Sequence, residues 1–218
     1  MQIKTVGLIT YHYPHLKTEQ VLQRLLGHNM GFDFRMYALP FSPRKPRETL
    51  LHHRPDQSDA IAPQAMADKH KIQYVVCETD GEIDDSCDIY LVLGAGILSA
   101  KCVQNKRIIN CHPGIIPACR GLDSFKWAIY EMKPLGITLH YIDAQVDAGE
   151  IISVIPTNIY VSDSLATLAR RHYENEIDAL SRFTDFLKTP TNPYKGVDVG
   201  EPKRRMSLGD ERELAHRF

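Results

Sequence analysis

Residues 107–152, RIINCHPGIIPACRGLDSFKWAIYEMKPLGITLHYIDAQVDAGEII, decide the fold of this chain. Within them, the short apolar run Arg107–Cys111 predicts a buried strand that delivers Asn110 and His112 at its end. Because side chains alternate along a strand, these two residues point to the same face. A loop after the next apolar run carries Asp147. An amide, an imidazole and a carboxylate at strand ends can together polarise a carbonyl, move a proton and orient the imidazole.

Strand-like and helix-like patterns alternate through most of the chain. The predicted strands are Ile3–Tyr11, Phe34–Pro40, Ile72–Cys77, Asp88–Leu93, Arg107–Cys111, Gly136–Ile142 and Ile151–Tyr160, and the predicted helices are Thr18–Asn29, Pro63–Lys71, Ser124–Met132 and Ser162–Leu187. This alternation favours an α/β fold with a mostly parallel, Rossmann-like sheet that helices cover on both faces.

The composition changes after Lys188, where Pro, Gly and charged residues become frequent. We therefore expect one catalytic domain over residues 1–188 and a C-terminal tail over residues 189–218, which either wraps the domain or reaches a partner. The run 203–205, Lys-Arg-Arg, is interpreted as a solvated surface. The long predicted C-terminal helix and the tail both offer an interface for a homodimer.

Charge and hydropathy exclude several classes of protein. Hydrophobic residues make up 43% and charged residues 24% of the 218 residues, and the formal net charge is −1. Such a balance provides no basic field for nucleic acid. The apolar runs are too short to span a bilayer, and the N-terminus lacks the pattern of a secretory signal. The sequence thus predicts a cytoplasmic protein that binds neither nucleic acid nor membrane.

The five cysteines form no C-x-x-C pair, which argues against a disulfide framework and against a zinc ribbon, so no metal site is predicted. Cys111 lies between Asn110 and His112 and would be a candidate nucleophile by position alone. Alternation along the strand points it to the opposite face, so we interpret Cys111 as a buried structural residue.

Residues 88–180 resemble the folate-dependent formyltransferases, which include glycinamide ribonucleotide, methionyl-tRNA and sugar N-formyltransferases. The motif of that family is N-x-H, a turn of the P-x-x-R-G type and a later Asp-x-Gly loop. The matching residues are Asn110, His112, Pro117, Arg120, Gly121, Asp147 and Gly149. The resemblance implies a formyltransferase fold, catalytic roles for Asn110, His112 and Asp147, and 10-formyltetrahydrofolate as cosubstrate.

The implied chemistry suits these side chains. When an amine attacks a formyl carbon, the carbonyl oxygen gains negative charge and the amine must lose a proton. Histidine, whose unperturbed pKa is about 6.5, can donate to the oxyanion or accept the proton, and the order of these roles for His112 stays open. Asn110 can donate to the formyl oxygen, and Asp147 can fix the imidazole tautomer.

The resemblance also implies binding residues. The pterin ring would lie against Gly96, Ile97, Leu98 and the loop residues Asp143, Ala144 and Val146. Arg120 would hold an anionic group or pin its loop. His140, on the strand before the Asp loop, either lines the site or packs in the core.

The prediction of the amine acceptor rests on a phosphate-binding motif that residues 10–20 lack. Purine enzymes of this family carry a glycine-rich phosphate loop after the first strand, and this chain has TYHYPHLKTEQ there. The tail is too short for the tRNA-binding domain of methionyl-tRNA formyltransferases. We therefore expect an aminosugar, nucleotide-linked or a pseudaminic acid precursor, with glycinamide ribonucleotide as the alternative. A folate hydrolase and a non-catalytic binding protein are rival classes. The candidate acceptor-binding residues are Tyr11, His12, Tyr13, Arg120, Asp123 and Lys126.

Overall fold

The computed structural model describes residues 3–42, 47–142, 149–190 and 201–218. In these ranges the strands are β1 Thr5–Tyr11, β2 Asp33–Leu39, β3 Gln73–Val76, β4 Ile89–Val92, β5 Ile108–His112, β6 Gly136–Tyr141 and β7 Ile151–Pro156. The helices are α1 Leu16–Gly27, α2 Pro63–His70, α3 Ala100–Val103, α4 Ser124–Tyr130, α5 Leu165–Ser181, α6 Phe183–Lys188 and α7 Leu208–Arg217. None of the helices described has the length and apolar character that crossing a membrane requires.

The described strands form one sheet in the order β3-β2-β1-β4-β5-β6-β7. Strands β1 to β5 pair in parallel, whereas β6 and β7 are antiparallel to their neighbours. The predicted α/β fold with a mostly parallel sheet is confirmed. The reversal at β6 has a consequence for the site, because the register sets His140 opposite Asn110 and Thr138 opposite His112.

Helices cover both faces of the sheet and exclude water from it. On one face, buried residues of α1, α2 and α5 pack against Leu8, Ile109 and Cys111. On the other face, the chain around α3 packs against Tyr90 and Ile108. Each fully buried aliphatic side chain contributes about 1.5–3 kcal/mol relative to exposure. The two apolar layers therefore hold β4 and β5 rigidly, and these strands carry the candidate site at their ends.

The prediction of one continuous helix over Ser162–Leu187 is wrong at Arg182. Arg182 leaves helical geometry, with φ −110° and ψ 22°, so α5 ends at Ser181 and α6 begins at Phe183. The Ser181 hydroxyl donates to the carbonyl of Asp178 at 2.9 Å, which competes with the backbone in the last turn. The break allows Phe183 to be fully buried in the core.

The described part of the C-terminal tail packs against the domain. Lys203 forms a parallel bridge with Gly121, and the Trp127 indole N–H donates to the Arg204 carbonyl at 2.7 Å. Met206 is fully buried. Helix α7 was not predicted, although Ser207 and Asp210 form a capping box that marks its start. The division at residue 188 stays a prediction.

A buried ion pair joins α7 to α4. The Lys126 Nζ lies 2.6 Å from Glu211 Oε1, and both side chains are almost completely buried. The second carboxylate oxygen of Glu211 accepts the backbone N–H of Leu50 at 2.7 Å. Glu211 thus ties three separated segments together, and its charge offsets the cost of burying the ammonium group.

We expect Glu211→Gln to lower the free energy of unfolding by about 3 kcal/mol, because it leaves the Lys126 ammonium group buried without its main counter-charge. Urea denaturation of the purified protein measures this. The matched control is Glu174→Gln, which removes an exposed partner of Arg170 on α5 and should change stability little. Equal losses in the two variants would contradict a structural role for the buried pair.

Candidate active site

The candidate site lies where β1, β4 and β5 end. Parallel strands present their carboxyl ends at one edge of a sheet, which is where open α/β sheets bind ligands. Tyr11 ends β1, Gly94 follows β4, and Asn110 and His112 end β5. Gly94 is tightly packed there, since a Cβ at this position would lie 2.8 Å from the Tyr11 ring.

Alternation along β5 separates polar side chains from the core. Cys111 pairs with Leu139 and belongs to the apolar cluster beneath α1 and α5. Burial raises the pKa of the Cys111 thiol, which keeps it protonated and unreactive. The interpretation of Cys111 as a buried structural residue is confirmed. Asn110 and His112 point to the opposite face.

The orientation of the Asn110 amide follows from its contact with His140. The His140 Nδ1 lies 3.0 Å from the carbonyl oxygen of Tyr141, which can only accept, so Nδ1 carries the ring hydrogen. The His140 Nε2 then accepts from the Asn110 Nδ2, at 3.3 Å. The amide therefore presents its NH2 group to His140 and directs its second N–H elsewhere. His140 is both buried and in contact with a candidate catalytic residue.

The loop over residues 113–124 folds back onto the imidazole of His112. The His112 Nε2 lies 2.7 Å from the carbonyl oxygen of Cys119 and 3.0 Å from the hydroxyl of Ser124. His112 is only 4% exposed. Gly114 makes this approach possible, because a Cβ there would lie 2.4 Å from the Cys119 oxygen and 2.9 Å from His112 Nε2.

The third predicted catalytic residue, Asp147, lies outside the described residues, as do the predicted cofactor residues Asp143, Ala144 and Val146. The residues on either side of them are anchored beside β5. Ile142 donates its N–H to the carbonyl of Ile108 at 2.8 Å, and Tyr141 donates to Glu150 at 2.9 Å. The contact of Asp147 with His112 stays a prediction.

The predicted cofactor residues that are described border a recess of about 410 Å3. Gly96, Ile97 and Leu98 form one side, and Tyr11 and Leu39 lie among its other lining residues. Leu98 is buried, whereas Ile97 is 84% exposed. The recess is also lined by the polar residues Glu78, Thr79, Asp80 and Ser99, so a flat heterocycle there would meet both apolar and acidic groups.

The predicted acceptor residues after β1 form an aromatic cluster. Tyr13 stacks on Phe41 at 4.9 Å between ring centroids, and Tyr11 meets the same ring edge-on at 5.1 Å. His12 hydrogen-bonds through Nδ1 to the hydroxyl of Tyr74 at 2.7 Å. The structure thus brings Tyr11 to the recess beside the cofactor residues and holds His12 against β3.

The other predicted acceptor residues face the C-terminal segment. Asp123 accepts the backbone N–H of Met206 at 3.0 Å, and Lys126 pairs with Glu211. Both line a cavity of about 220 Å3 together with Glu211, His53 and the basic side chains of Arg47, Arg54 and Arg205. Arg120 is almost completely buried in the loop beside His112. Their roles in binding stay a prediction.

Sequence reasoning missed a buried ion cluster between α1 and α5. The Glu176 carboxylate is fully buried, lies 2.7 Å from Lys17 Nζ and also pairs with Arg54. Burial raises the pKa of Glu176, but the two cations outweigh it and lower the pKa to about 2. The position of Glu176 on the apolar face of α5 was a usable signal, since a carboxylate there needs a buried cation.

Three histidines around this cluster are neutral. Burial is the largest cause in each case and lowers the pKa of His15 to about 4, of His53 to about 3 and of His172 to about 4, where the hydrogen bond to Pro113 raises the pKa but does not outweigh burial. His172 bonds through Nε2 to the carbonyl of Pro113 at 3.3 Å. His172, beside the cluster, is therefore in direct contact with the loop that holds His112.

Comparison with known proteins identifies the segment that carries this site. Residues 87–184 match the family described as "Formyl transferase". This segment, which is less than half of the chain, is similar to that family. The resemblance seen in the sequence is confirmed over this segment, which contains Asn110 and His112 and the loop between β5 and α4.

The curated relatives that match this chain include phosphoribosylglycinamide formyltransferases. The phosphoribosylglycinamide formyltransferase of Bacillus subtilis is 38% identical over 71 residues, which are 32% of this chain and 36% of that protein. The aligned segment thus spans about a third of the length of that relative.

Solved structures share the fold. A sugar N-formyltransferase from Shewanella sp FDAARGOS_354 matches with a TM-score of 0.62 and 16% identity, covering 97% of this chain and 86% of that one. Phosphoribosylglycinamide formyltransferase from Streptococcus pneumoniae matches with a TM-score of 0.57 and 15% identity, covering 86% and 100%. At these identities the likeness extends to the fold alone.

We expect Gly114→Ala to destabilise the protein by about 1–3 kcal/mol and to displace the imidazole, since the added methyl group meets the backbone oxygen of Cys119. Thermal unfolding measures the first effect and the His112 ring signals in NMR spectra measure the second. Gly27→Ala is the matched control, because a Cβ at Gly27 meets nothing within 4 Å. Unchanged His112 signals in Gly114→Ala would contradict the packing described.

Proposed function

We propose that this chain is an N-formyltransferase that moves a formyl group from 10-formyltetrahydrofolate to the amine of an aminosugar. The acceptor is nucleotide-linked or a precursor of pseudaminic acid. The observation that carries the proposal is the placement of the Asn110 amide and the His112 imidazole on one face at the end of β5, within the segment that matches the formyl transferase family.

In the proposed reaction, Asn110 stabilises the developing negative charge and His112 accepts a proton. The second N–H of Asn110 donates to the formyl oxygen as it becomes negative, and such a donor contributes about 3 kcal/mol to the transition state. His112 takes the proton that the amine loses. The surrounding loop excludes water from the imidazole, which strengthens both interactions. Asp147 is proposed to orient His112 from the neighbouring loop.

The folate supplies the formyl group, and the recess beside Tyr11 is the proposed place for its pterin ring. Gly96, Ile97 and Leu98 would hold one face of the ring, with residues 143–146 proposed for its polar edge. The apolar side chains of the recess would contact the ring, and its polar lining residues and the backbone of the turn after β4 offer hydrogen-bond partners.

The start of α1 favours an aminosugar over glycinamide ribonucleotide. A free helix N-terminus is a ready site for a phosphate group. In this chain the first two helical N–H groups already have partners, because Leu16 donates to the Gln57 carbonyl at 2.8 Å and Lys17 to the Gln57 side chain at 3.1 Å. Together with the missing glycine loop, this supports an acceptor that is not held by a phosphate at α1.

The alternative substrate is glycinamide ribonucleotide. The similarity to the Bacillus subtilis enzyme favours it, since that relative is named a phosphoribosylglycinamide formyltransferase. Under this alternative the phosphate would have to displace Gln57 from α1.

The deciding experiment is a formyl-transfer assay with 10-formyltetrahydrofolate and a panel of amines, read by mass spectrometry for the gain of one formyl group. The panel contains nucleotide-linked 3- and 4-aminosugars, aminosugar precursors of pseudaminic acid and glycinamide ribonucleotide. We expect product from an aminosugar. Product from glycinamide ribonucleotide alone would overturn the proposed acceptor, and folate hydrolysis without any amine would indicate a hydrolase.

With the accepted amine in hand, we expect Asn110→Ala to lower kcat by about 100-fold while folate affinity changes little, because the lost donor acts on charge that develops in the transition state.

His112→Asn and Asp147→Asn should abolish turnover. Steady-state kinetics and folate titration measure these effects. The exposed residues Asn158 and His28 supply the controls Asn158→Ala and His28→Asn, which should retain activity. More than a tenth of the activity in both His112→Asn and Asp147→Asn would contradict the assignment.

A further inference from the structure

The cavity of about 220 Å3 beside α4 is lined by residues of the segments 47–54 and 205–211. We propose that it binds a phosphate group through Arg47, His52 and Arg205, and that in the reaction it holds the diphosphate of a nucleotide-linked acceptor. The second part of this inference rests on the proposed function, whereas phosphate binding can be tested without any formyl transfer.

Contacts between distant parts of the chain build this cavity. The Arg47 guanidinium donates to the carbonyl of Met206, and the Met206 N–H donates to the Asp123 carboxylate at 3.0 Å. The Met206 side chain is fully buried, which fixes the chain next to it. Arg205 is thereby placed in the same cavity as Arg47, although the two residues are far apart in the sequence.

Two of the four cations that line the cavity lack a counter-charge. Arg54 and Lys126 each form an ion pair with a buried glutamate. In the described part of the chain, neither Arg47 nor Arg205 is paired with a carboxylate. An arginine presents a rigid fork of N–H donors that matches two oxygens of a phosphate group. The exposed His52 adds an imidazole donor to the same wall.

Two carboxylates also line the cavity, and both are already engaged. Asp123 accepts the N–H of Met206, and Glu211 accepts from Lys126 at 2.6 Å and from the N–H of Leu50 at 2.7 Å. Their negative charge is therefore taken up by donors within the wall. It opposes an incoming anion less than a free carboxylate would.

The pKa of His53 shows that the potential in this cavity is positive. Burial is the main reason that the pKa falls to about 3, and the charges of Arg54 and Lys126 lower it further. Glu176 raises the pKa, but its effect is the smallest of these. A cleft with one predominant sign of charge and poorly polarisable walls concentrates ions of the opposite sign.

The surroundings of the cavity favour a diphosphate within a larger ligand. Cavities that hold an entire drug-sized molecule measure roughly 300–1,000 Å3, so this one takes a single group. A neighbouring cavity of about 450 Å3 shares His52, His53 and Arg54 with it. That cavity is lined by Tyr173 and apolar residues of α1 and α5 as well as by charged side chains, and it offers room for a nucleoside.

The cavity also lies next to the residues proposed for the reaction. Asp123 in its wall immediately precedes Ser124, whose hydroxyl is 3.0 Å from His112 Nε2. In a nucleotide-linked sugar the diphosphate is bonded directly to the sugar. A diphosphate held by Arg47 and Arg205 therefore leaves the aminosugar on the side of His112.

The first test is an NMR titration of the 15N-labelled full chain with inorganic pyrophosphate. We expect saturable shifts of the His52 ring signals, which are identified by their absence in His52→Asn. Arg47→Gln and Arg205→Gln should each weaken pyrophosphate binding about tenfold, the worth of one hydrogen bond between charged groups. Arg205→Gln is the cleaner variant, because Arg205 has no ion pair or hydrogen bond within the described residues.

The matched control is Arg212→Gln, which removes the same charge from an exposed position of α7 that does not line the cavity. Pyrophosphate affinity should change little in this variant. The phosphate site is overturned by any of three results. These are the absence of pyrophosphate binding, binding that leaves the His52 signals in place, and wild-type affinity in Arg205→Gln.

The second test uses formyl transfer to a nucleotide-linked aminosugar. Arg205→Gln should raise the KM for that acceptor about tenfold, with kcat and the KM for 10-formyltetrahydrofolate little changed. A rise in the KM for the folate alone would assign the cavity to the carboxylates of its glutamate and overturn the proposal. If pyrophosphate binds as expected but no nucleotide-linked aminosugar is formylated, the acceptor assignment fails while the phosphate site stands.

Discussion

The alternation of side chains along β5 is the constraint on which the rest of the structure depends. A single strand must bury Cys111 in the apolar layer beneath α1 and α5 while presenting Asn110 and His112 to the opposite face. The antiparallel strand β6 then supplies the partner opposite each residue, His140 to Asn110 and Thr138 to His112. A shift of one residue in this register would exchange the core and the site.

Rigidity at the site comes from layers of contacts that lie outside β5. His140 orients the Asn110 amide, and the loop carrying Ser124 encloses the imidazole of His112. The segment around Lys203 then fixes that loop by backbone hydrogen bonds. The backbone carbonyls and glycines of this loop thus place the functional groups as much as the side chains do. A glycine permits a close approach because it has no Cβ, and a carbonyl accepts the hydrogen bond.

The sequence was sufficient to predict what local periodicity encodes. The strand at Arg107–Cys111, the burial of Cys111 and the α/β class follow from alternation and helical spacing. The contacts of Lys126 with Glu211 and of Lys17 with Glu176 could not be predicted, because residues distant in the chain meet only after folding. The break at Arg182 was hidden for a related reason, since the apolar spacing of α5 continues into α6 and only the burial of Phe183 requires the chain to turn.

The closure of the α1 N-terminus by Gln57 connects the fold to the choice of acceptor under the proposed function. Lys17 and Arg54, the nearby cations that would otherwise attract an anion, are already paired with the buried Glu176. A phosphate at α1 would have to replace two backbone hydrogen bonds and compete with that carboxylate for both cations. Breaking one side of a buried ion pair costs about 3–5 kcal/mol, which is more than one phosphate contact returns at a partly open surface. An acceptor recognised through other groups avoids this cost. Under the proposed function, the buried ion cluster therefore disfavours substrates that bind through a phosphate at α1, and it also stabilises α5.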